Sequence, residues 1–267
     1  MGSRIARHFA QLRALGRTAF VPYITAGDPD LATTARVLDA LADAGADVIE
    51  LGVPFSDPMA DGPVIQAAMT RALAAGATFA AVLELVRDFR ARHPDLPLVL
   101  FGYLNPLYRQ GLAQAVARAA DAGVDGFLVV DLPPEEASQL TDHTRAHGLD
   151  FIALFTPTSD DARVAAIGAH ASGFAYYVSM GGVTGDTLTD FATVEARAGR
   201  VRAETGLPVC VGFGVRTGED AARIAAFADG VVVGSALVEA IAQAAPGEEA
   251  AAAGALTARF RAALDAR

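Results

Sequence analysis

Lysine is absent from this 267-residue chain, and all 21 of its basic residues are arginines. Catalysis through a Schiff base requires a side-chain amine. Lysine-dependent aldolases and pyridoxal-phosphate enzymes are therefore excluded for this chain acting alone. A P-loop would also be missing its lysine. Any bound phosphate must be held by arginine side chains or by backbone N–H groups.

Cysteine and positive charge are also scarce. The single cysteine, Cys210, excludes an internal disulfide framework and a multi-cysteine zinc site, and it indicates a reducing compartment such as the cytoplasm. The net charge of -10 removes the electrostatic basis for binding nucleic acid or an anionic membrane. No apolar run reaches membrane-spanning length without a charge or a glycine. We therefore predict neither a nucleic-acid partner nor a membrane partner.

The first 27 residues contain no acidic residue, which is a composition typical of a transit peptide. The basic residues of this segment are Arg4, Arg7, Arg13 and Arg17. Its apolar residues recur at helical spacing, at Ile5, Phe9, Leu12 and Leu15. Because a strand begins almost at once at Ala19, this spacing favours a short packing helix over a cleaved leader.

Short apolar runs alternate with longer helical patterns along the rest of the chain. The predicted strands are Phe20–Thr25, Val48–Gly52, Leu98–Tyr103, Phe127–Asp131, Phe151–Phe155, Phe174–Ser179, Val209–Gly212 and Val231–Gly234. The runs are almost entirely apolar, as expected of parallel strands buried on both faces. Eight βα units in about 250 residues predict an α/β fold, an eight-stranded parallel (β/α)8 TIM barrel with an extra N-terminal helix. We expect residues 1–267 to form a single barrel domain.

A weak repeat supports this architecture. The segments Asp43–Asp47, Asp121–Asp125 and Phe227–Gly230 each precede a buried strand, and each is interpreted as a helix that ends at or near glycine. A doubly wound open sheet is the alternative, but it lacks its expected glycine-rich motif after the first strand. The longest connections, 53–63, 104–111 and 180–187, follow strand ends, where barrels build their active sites.

Glu50 and Asp61 are the candidate catalytic residues. Glu50 interrupts an apolar strand, where burial would raise its pKa and suit it to proton transfer; a structural carboxylate is the alternative. Asp57 and Asp61 lie in a Pro/Gly-rich loop, where acids usually form turns and caps. They could also bind Mg²⁺, although no further ligand pattern completes such a site.

Glycines at the ends of the last strands suggest a phosphate site. Barrels often bind phosphate with backbone N–H groups of the loops after strands seven and eight. The residues concerned are Gly185, Gly212, Gly214, Gly234 and Ser235. His143 and His147 could form a metal pair, but their helix end faces away from the predicted site, so we interpret them as surface residues. Tyr176 is interpreted as core packing from its pattern alone.

Four segments together resemble the tryptophan synthase alpha subunit family. They are Phe20–Pro29, Glu50–Pro63, Gly182–Gly185 and Gly212–Val215. The second segment is highly specific to that family, and the match continues in order to Gly234 and Ser235. The resemblance implies an α/β barrel that cleaves indole-3-glycerol phosphate into indole and glyceraldehyde 3-phosphate.

The same resemblance implies partners and residue roles. We expect no cofactor or metal on this chain, and a pyridoxal-phosphate beta chain joined to it in an α2β2 heterotetramer. Glu50 corresponds to the general acid/base that protonates the indole ring carbon, and Asp61 to the carboxylate that accepts the indole N–H. Tyr23, Phe101 and Leu154 fall at indole-pocket positions, and Tyr176 near the active site. Gly185, Gly214, Gly234 and Ser235 align with the phosphate site, and Thr184 with a closing loop.

Two departures and three alternatives accompany this assignment. Tyr23 stands where some members have phenylalanine, and Met180 where some have arginine. A sugar-phosphate epimerase or isomerase barrel would share the glycines but lack the Asp57–Gly62 segment. A non-catalytic subunit would not need both Glu50 and Asp61. A stand-alone indole-releasing lyase would have the same catalytic motif and stays open.

Overall fold

The structure, a computed structural model, describes residues 2–178, 190–212 and 214–266. Over these residues, nine parallel strands form one sheet in the order β5-β4-β3-β2-β1-β9-β8-β7-β6. Their bounds are β1 Ala19–Thr25, β2 Ile49–Gly52, β3 Leu98–Gly102, β4 Gly126–Val129, β5 Asp150–Phe151, β6 Ala153–Phe155, β7 Ala175–Val178, β8 Val209–Gly212 and β9 Gly230–Val233. The predicted strands match these within one or two residues, and Ser179 lies outside the described residues.

The fifth predicted strand closes the barrel by changing partners at Ile152. Its first half, β5, pairs with β4, and the Ile152 N–H still donates to the Phe127 carbonyl oxygen at 2.8 Å. Its second half, β6, pairs with β7 on the other side. The two halves occupy one strand position, so the sheet is an eight-position parallel barrel. The predicted TIM barrel is confirmed.

Alternating side chains divide the core into two layers. Ile49 and Leu51 pack outward, in the layer between the sheet and the surrounding helices. Val48 packs inward with Val99 and Tyr176 in the barrel interior. Glu50 therefore projects into the interior among apolar neighbours.

Helix α1, Arg4–Ala14, packs across the N-terminal end of the barrel interior. Ile5, Phe9 and Leu12 are buried, and the Phe9 ring lies 5.6 Å from the Phe174 ring. The expected packing helix is therefore present. Leu15 was predicted to share its apolar face, but it is 68% exposed because the helix has already ended at Ala14.

Helices surround the sheet. Their bounds are α2 Leu31–Asp43, α3 Pro63–Ala74, α4 Phe79–Arg92, α5 Leu104–Tyr108, α6 Leu112–Ala122, α7 Ser138–Ala146, α8 Asp161–Gly168, α9 Phe191–Thr205, α10 Gly218–Ile224, α11 Ser235–Gln243 and α12 Glu249–Asp265. The connection 104–111, which was expected to link a strand to the next helix, contains the short helix α5 itself. A 3₁₀ turn, Pro134–Glu136, precedes α7.

The third segment of the repeat, Phe227–Gly230, does not end a helix at its glycine as predicted. Gly45 and Gly123 follow their helices with φ of 95° and 92°, a left-handed conformation that suits glycine. Gly230 instead belongs to β9, and α10 has already ended at Ile224. A Cβ atom at Gly230 would lie 2.5 Å from the Cys210 sulfur, so this glycine is required by close packing inside the barrel.

Among the described residues, no single helix is long and apolar enough to cross a membrane. Helices α3 and α4 meet that length and composition only when taken together, across a bend of 97°.

Candidate active site

Glu50 lies inside the barrel near the carboxyl end of β2. Its side chain is fully buried, and neither carboxylate oxygen has a hydrogen-bond partner among the described residues. Burial raises the pKa of Glu50 from 4.5 to about 8, because the charged form loses its hydration without gaining a donor. At neutral pH this carboxyl group holds its proton and can act as an acid.

Asp61 lies in the loop between β2 and α3 and has a different environment. Gly62 caps α3, and Pro63 is the first residue of the helix, where its missing N–H costs no intrahelical hydrogen bond. The Asp61 carboxylate is 4% exposed and accepts a hydrogen bond of 2.6 Å from the Tyr103 hydroxyl. Burial raises the pKa of Asp61 to about 6, and the Tyr103 hydrogen bond opposes that rise. At neutral pH Asp61 is therefore mostly ionised.

Tyr103 is a site residue that sequence reasoning missed. Its hydroxyl donates to Asp61 and accepts a 3.0 Å hydrogen bond from the Ala60 N–H, so one group holds two consecutive residues of the loop. Burial, followed by the Asp61 contact, raises the pKa of Tyr103, which keeps the hydroxyl protonated as a donor. The available signal was its position directly after β3, at the end of the barrel where active sites form.

One cavity at the carboxyl ends of the strands brings most of the predicted site residues together. Of the predicted set, its described lining includes Tyr23, Glu50, Asp61, Phe101, Tyr176, Gly214, Gly234 and Ser235. Four further residues line this cavity and were not singled out as site residues from the sequence: Ile65, Val215, Arg216 and Val232. The two carboxyl groups, the aromatic rings and the predicted phosphate-site residues therefore share one space.

The structure does not bring every predicted residue into this cavity. Leu154 pairs in register with Tyr176 and packs against the barrel interior, but it lines a separate cleft beside α8. Thr184, Gly185 and Met180 lie outside the described residues.

Two tyrosines and two glycines shape the apolar part of the cavity. Tyr23 packs edge-on against Phe101, with ring centroids 5.1 Å apart. A Cβ atom at Gly52 would lie 2.2 Å from the Tyr23 hydroxyl oxygen, and one at Gly212 would lie 2.4 Å from the Tyr176 hydroxyl oxygen. The strand-end glycines thus make room for the two tyrosines, a role that the sequence did not reveal for either glycine.

Backbone groups form another part of the cavity lining. Helix α11 begins at Ser235, and its cap residue Gly234 supplies no side-chain hydrogen bond to the first turn. The first N–H groups of a helix are natural anion donors. Gly214 has a φ of 79°, a left-handed turn that brings the chain after β8 to the same cavity.

The alternative metal ligands lie away from this cavity. Asp57 is exposed and accepts a hydrogen bond from the Ser56 hydroxyl. His143 and His147 lie at the C-terminal end of α7, where the His147 ring nitrogen Nδ1 is 3.0 Å from the His143 carbonyl oxygen. Within the described part of the chain, no three potential ligand side chains converge.

A closed parallel barrel with buried acids at the carboxyl ends of its strands defines the class of (β/α)8-barrel enzymes. A model of the tryptophan synthase alpha chain family matches residues 9–264. The chain belongs to this family, which confirms the resemblance of its motifs. It is a lyase of tryptophan biosynthesis that cleaves indole-3-glycerol phosphate, and the family implies a beta-chain partner.

Individual relatives agree over the full chain. The tryptophan synthase alpha chain of Burkholderia pseudomallei strain 1106a is 52% identical over 263 residues, which cover 98% of this chain and 97% of that protein. The crystal structure of tryptophan synthase subunit alpha from Legionella pneumophila strain Paris has a TM-score of 0.93 and 42% identity, with 100% of each chain covered. A Mycobacterium tuberculosis tryptophan synthase structure has a TM-score of 0.91 and 36% sequence identity, with 99% of each chain covered.

Proposed function

We propose that Glu50 and Asp61 divide the chemistry of cleavage between them. The observation that carries this proposal is one cavity holding two carboxyl groups whose pKa values are about 8 and about 6. When their environments separate the pKa values of two carboxyl groups in this way, the group with the higher pKa acts as the acid and the other stays an anion. Protonated Glu50 delivers its proton to the indole ring carbon, and ionised Asp61 accepts the indole N–H and offsets the positive charge that develops there.

The substrate lies across the cavity in this proposal. Its indole ring packs among the aromatic side chains Tyr23, Phe101 and Tyr176, and its phosphate lies at Gly214, Gly234 and Ser235. The family resemblance adds three assignments to this proposal: Leu154 as an indole-pocket residue, Gly185 as a phosphate contact, and Thr184 as part of the closing loop. Once Glu50 has protonated the indole ring carbon, its carboxylate accepts the proton of the adjacent hydroxyl as the carbon–carbon bond breaks. This restores protonated Glu50 and releases indole and glyceraldehyde 3-phosphate.

Asp61→Asn tests the charge assigned to Asp61. The amide can still accept the indole N–H hydrogen bond, but it cannot offset a positive charge. We expect kcat for indole release to fall by about 10²–10³ with a small change in substrate affinity, because preorganised charge acts mainly in the transition state. Steady-state indole release and substrate binding are measured on both proteins. Unchanged kcat with weakened binding would mean that Asp61 positions substrate only.

We also propose an α2β2 heterotetramer in which the beta chain carries the pyridoxal phosphate. The docking face is the carboxyl end of the barrel, at the loops after β2 and β3. Met59 in the first loop is 91% exposed and Tyr108 on α5 is 60% exposed. Large apolar side chains exposed beside the cavity are typical of a protein interface. Phe55, Pro58, Leu104, Asn105 and Pro106 are partly or fully exposed and belong to the same surface, whereas Pro54 and Leu107 of these segments are buried.

Addition of a beta chain tests this interface and the stand-alone alternative. We expect slow indole release by the alpha chain alone and faster release with saturating beta chain, because docking favours the closed site. Met59→Asp should weaken beta-chain binding by about tenfold or more, as loss of a central apolar contact does. Leu15→Asp, 68% exposed at the other end of the barrel, is the matched control. Equal rates with and without the beta chain would favour a stand-alone lyase.

Two coarser assignments complete the proposal. Residues 1–267 act as a single (β/α)8-barrel domain, supported by the family match over 9–264. The enzyme works in the cytoplasm, supported by its one buried free thiol, Cys210.

A further inference from the structure

The charge of the cavity poses a problem for its substrate. The ionised Asp61 carboxylate lines it beside protonated Glu50, and the whole chain carries a net charge of -10. A phosphate monoester that approaches this surface is repelled unless positive charge lies close to its path. Among the described residues that line the cavity, Arg216 has the one basic side chain.

Arg216 is held on the cavity rim by its neighbours in the chain. On one side, Gly214 makes its left-handed turn and Val215 is 5% exposed, buried in the core. On the other side, Thr217 and Asp220 form a reciprocal capping box at the start of α10. The Arg216 N–H also donates to an Asp220 carboxylate oxygen at 3.3 Å. The backbone at Arg216 is therefore fixed, while its side chain is exposed at the cavity mouth.

The backbone groups near Arg216 offer hydrogen bonds without a full charge. Gly214, Gly234 and Ser235 line the same cavity, and the first turn of α11 supplies N–H donors and a partial positive charge. A guanidinium adds a full positive charge and a planar pair of donors that matches two phosphate oxygens. Arg216 and the start of α11 are thus complementary parts of one anion site.

We propose that Arg216 binds the phosphate of indole-3-glycerol phosphate and determines the preference of this enzyme for a phosphorylated substrate. The inference rests on the proposed placement of the phosphate at Gly214, Gly234 and Ser235. The contact forms with substrate and transition state alike, because the phosphate takes no part in bond cleavage. Arg216 therefore sets KM, and the carboxyl groups set kcat.

Variants at Arg216 test this division. Arg216→Ala should raise KM by about 10- to 100-fold, the size of effect expected for a hydrogen bond to a charged group, and leave kcat within about twofold. Arg216→Lys, which keeps the charge but loses the paired donors, should lie between the alanine variant and wild type. Arg109→Ala is the matched control, because Arg109 is an exposed arginine that follows α5 but does not line the cavity.

Competition with two ligands identifies the group that Arg216 contacts. Glycerol 3-phosphate and indole are tested as inhibitors of indole-3-glycerol phosphate cleavage. We expect Arg216→Ala to raise the inhibition constant of glycerol 3-phosphate by about tenfold or more and to leave that of indole unchanged. Equal weakening of both ligands would overturn the proposal, because it would mean that the substitution distorts the site.

Different results would overturn the role of Arg216 and the proposed backbone phosphate site. Inhibition of wild type and Arg216→Ala by glycerol 3-phosphate at the same concentrations would overturn the role of Arg216 and leave the backbone phosphate site intact. A wild-type enzyme that glycerol 3-phosphate does not inhibit would overturn both. An effect of Arg109→Ala equal to that of Arg216→Ala would reduce the role to general attraction and also overturn the proposal.

Discussion

Tyr103 controls how much of Asp61 is ionised at the working pH. Its hydroxyl hydrogen bond stabilises the carboxylate and opposes the effect of burial on the pKa of Asp61. Tyr103→Phe should therefore raise the pKa of Asp61 further above about 6. We expect kcat to fall by about 2- to 15-fold at pH 7, because a rise of about one to two pKa units lowers the ionised fraction of Asp61 by that amount, with a larger loss at lower pH.

The pH profile separates this effect from a loss of structure. In Tyr103→Phe, the acidic limb of kcat/KM should move to higher pH, because more of Asp61 is protonated at each pH. Tyr108→Phe, at an exposed tyrosine on the neighbouring helix, should leave the limb in place. A uniform fall in rate with an unmoved acidic limb would contradict the role of Tyr103.

The sequence predicts Glu50 better than it predicts Tyr103, for a physical reason. A single carboxyl group in an apolar strand violates the burial pattern and is visible in the sequence. A tyrosine at a strand end fits the pattern of a core residue, and its partner Asp61 is 42 positions away. Arg216 was not singled out because one exposed arginine in a loop is ordinary until the fold places it beside Gly234 and Ser235.

At the scale of the elements, aspartates at the helix-to-strand joints fasten the N-terminal end of the barrel. Asp47, Asp125 and Asp229 each accept a backbone N–H at 2.8 Å from the start of a neighbouring strand. Each also pairs with an arginine from a surrounding helix, and the partners are Arg261, Arg90 and Arg202 respectively. Arg4 of α1 adds a second partner to Asp125. This end of a barrel serves stability rather than catalysis.

Asp125→Ala should destabilise the protein without changing its chemistry. The substitution leaves Arg90 and the Leu98 N–H without their carboxylate partner in a largely buried setting. Removing one partner of such a pair typically costs about 3–5 kcal/mol. Denaturant titration should show this loss in the free energy of unfolding. Asp121→Ala, at an exposed position of the same repeat, should change it by less than about 0.5 kcal/mol.

One result would contradict the prediction for Asp125→Ala directly. Equal unfolding free energies of the Asp125→Ala and Asp121→Ala proteins would mean that the joint aspartates do not fasten the barrel. Indole release by both folded variants should match wild type, because Asp125 lies at the end of the barrel opposite the cavity.

Elements with strong patterns were predictable, and those that depend on distant partners were not. The strand at Val209–Gly212 was predicted with its observed bounds, since four buried residues follow a turn. The change of partner at Ile152 was not predictable, because it arises from closing the sheet between β4 and β7. Helix α5 was missed because five residues between two glycines resemble a loop.

The whole molecule separates stability from chemistry along the barrel axis. Helix α1 and the joint aspartates close the N-terminal end, while the acids, the aromatic rings and the start of α11 meet at the other end. Regular alternation of strands and helices made this architecture predictable from the sequence. The shared cavity was predictable only through family motifs, since its described lining comes from β1, β2, β3, β7 and β9 and from the segments that follow β2, β8 and β9.

The central claim is that Glu50 is a protonated acid whose proton transfer cleaves the substrate. Glu50→Gln keeps the shape of the side chain and removes the transferable proton. The burial of residue 50 in the folded variant can be checked independently by measuring the free energy of unfolding as a function of pH. Because the folded-state pKa of about 8 lies above the ordinary 4.5, the wild-type protein loses stability as pH rises through that window. The loss is at most about 5 kcal/mol, and it should be absent in Glu50→Gln.

The most direct measurement is kcat for indole release from indole-3-glycerol phosphate by the folded Glu50→Gln protein at pH 7. We predict a fall of about 10²–10⁴ relative to wild type, the usual cost of losing a general acid. Glu249→Gln, at a buried carboxylate that accepts a hydrogen bond from the Gly247 N–H outside the cavity, should keep wild-type turnover. A Glu50→Gln protein that folds and releases indole at a rate close to wild type would contradict the account.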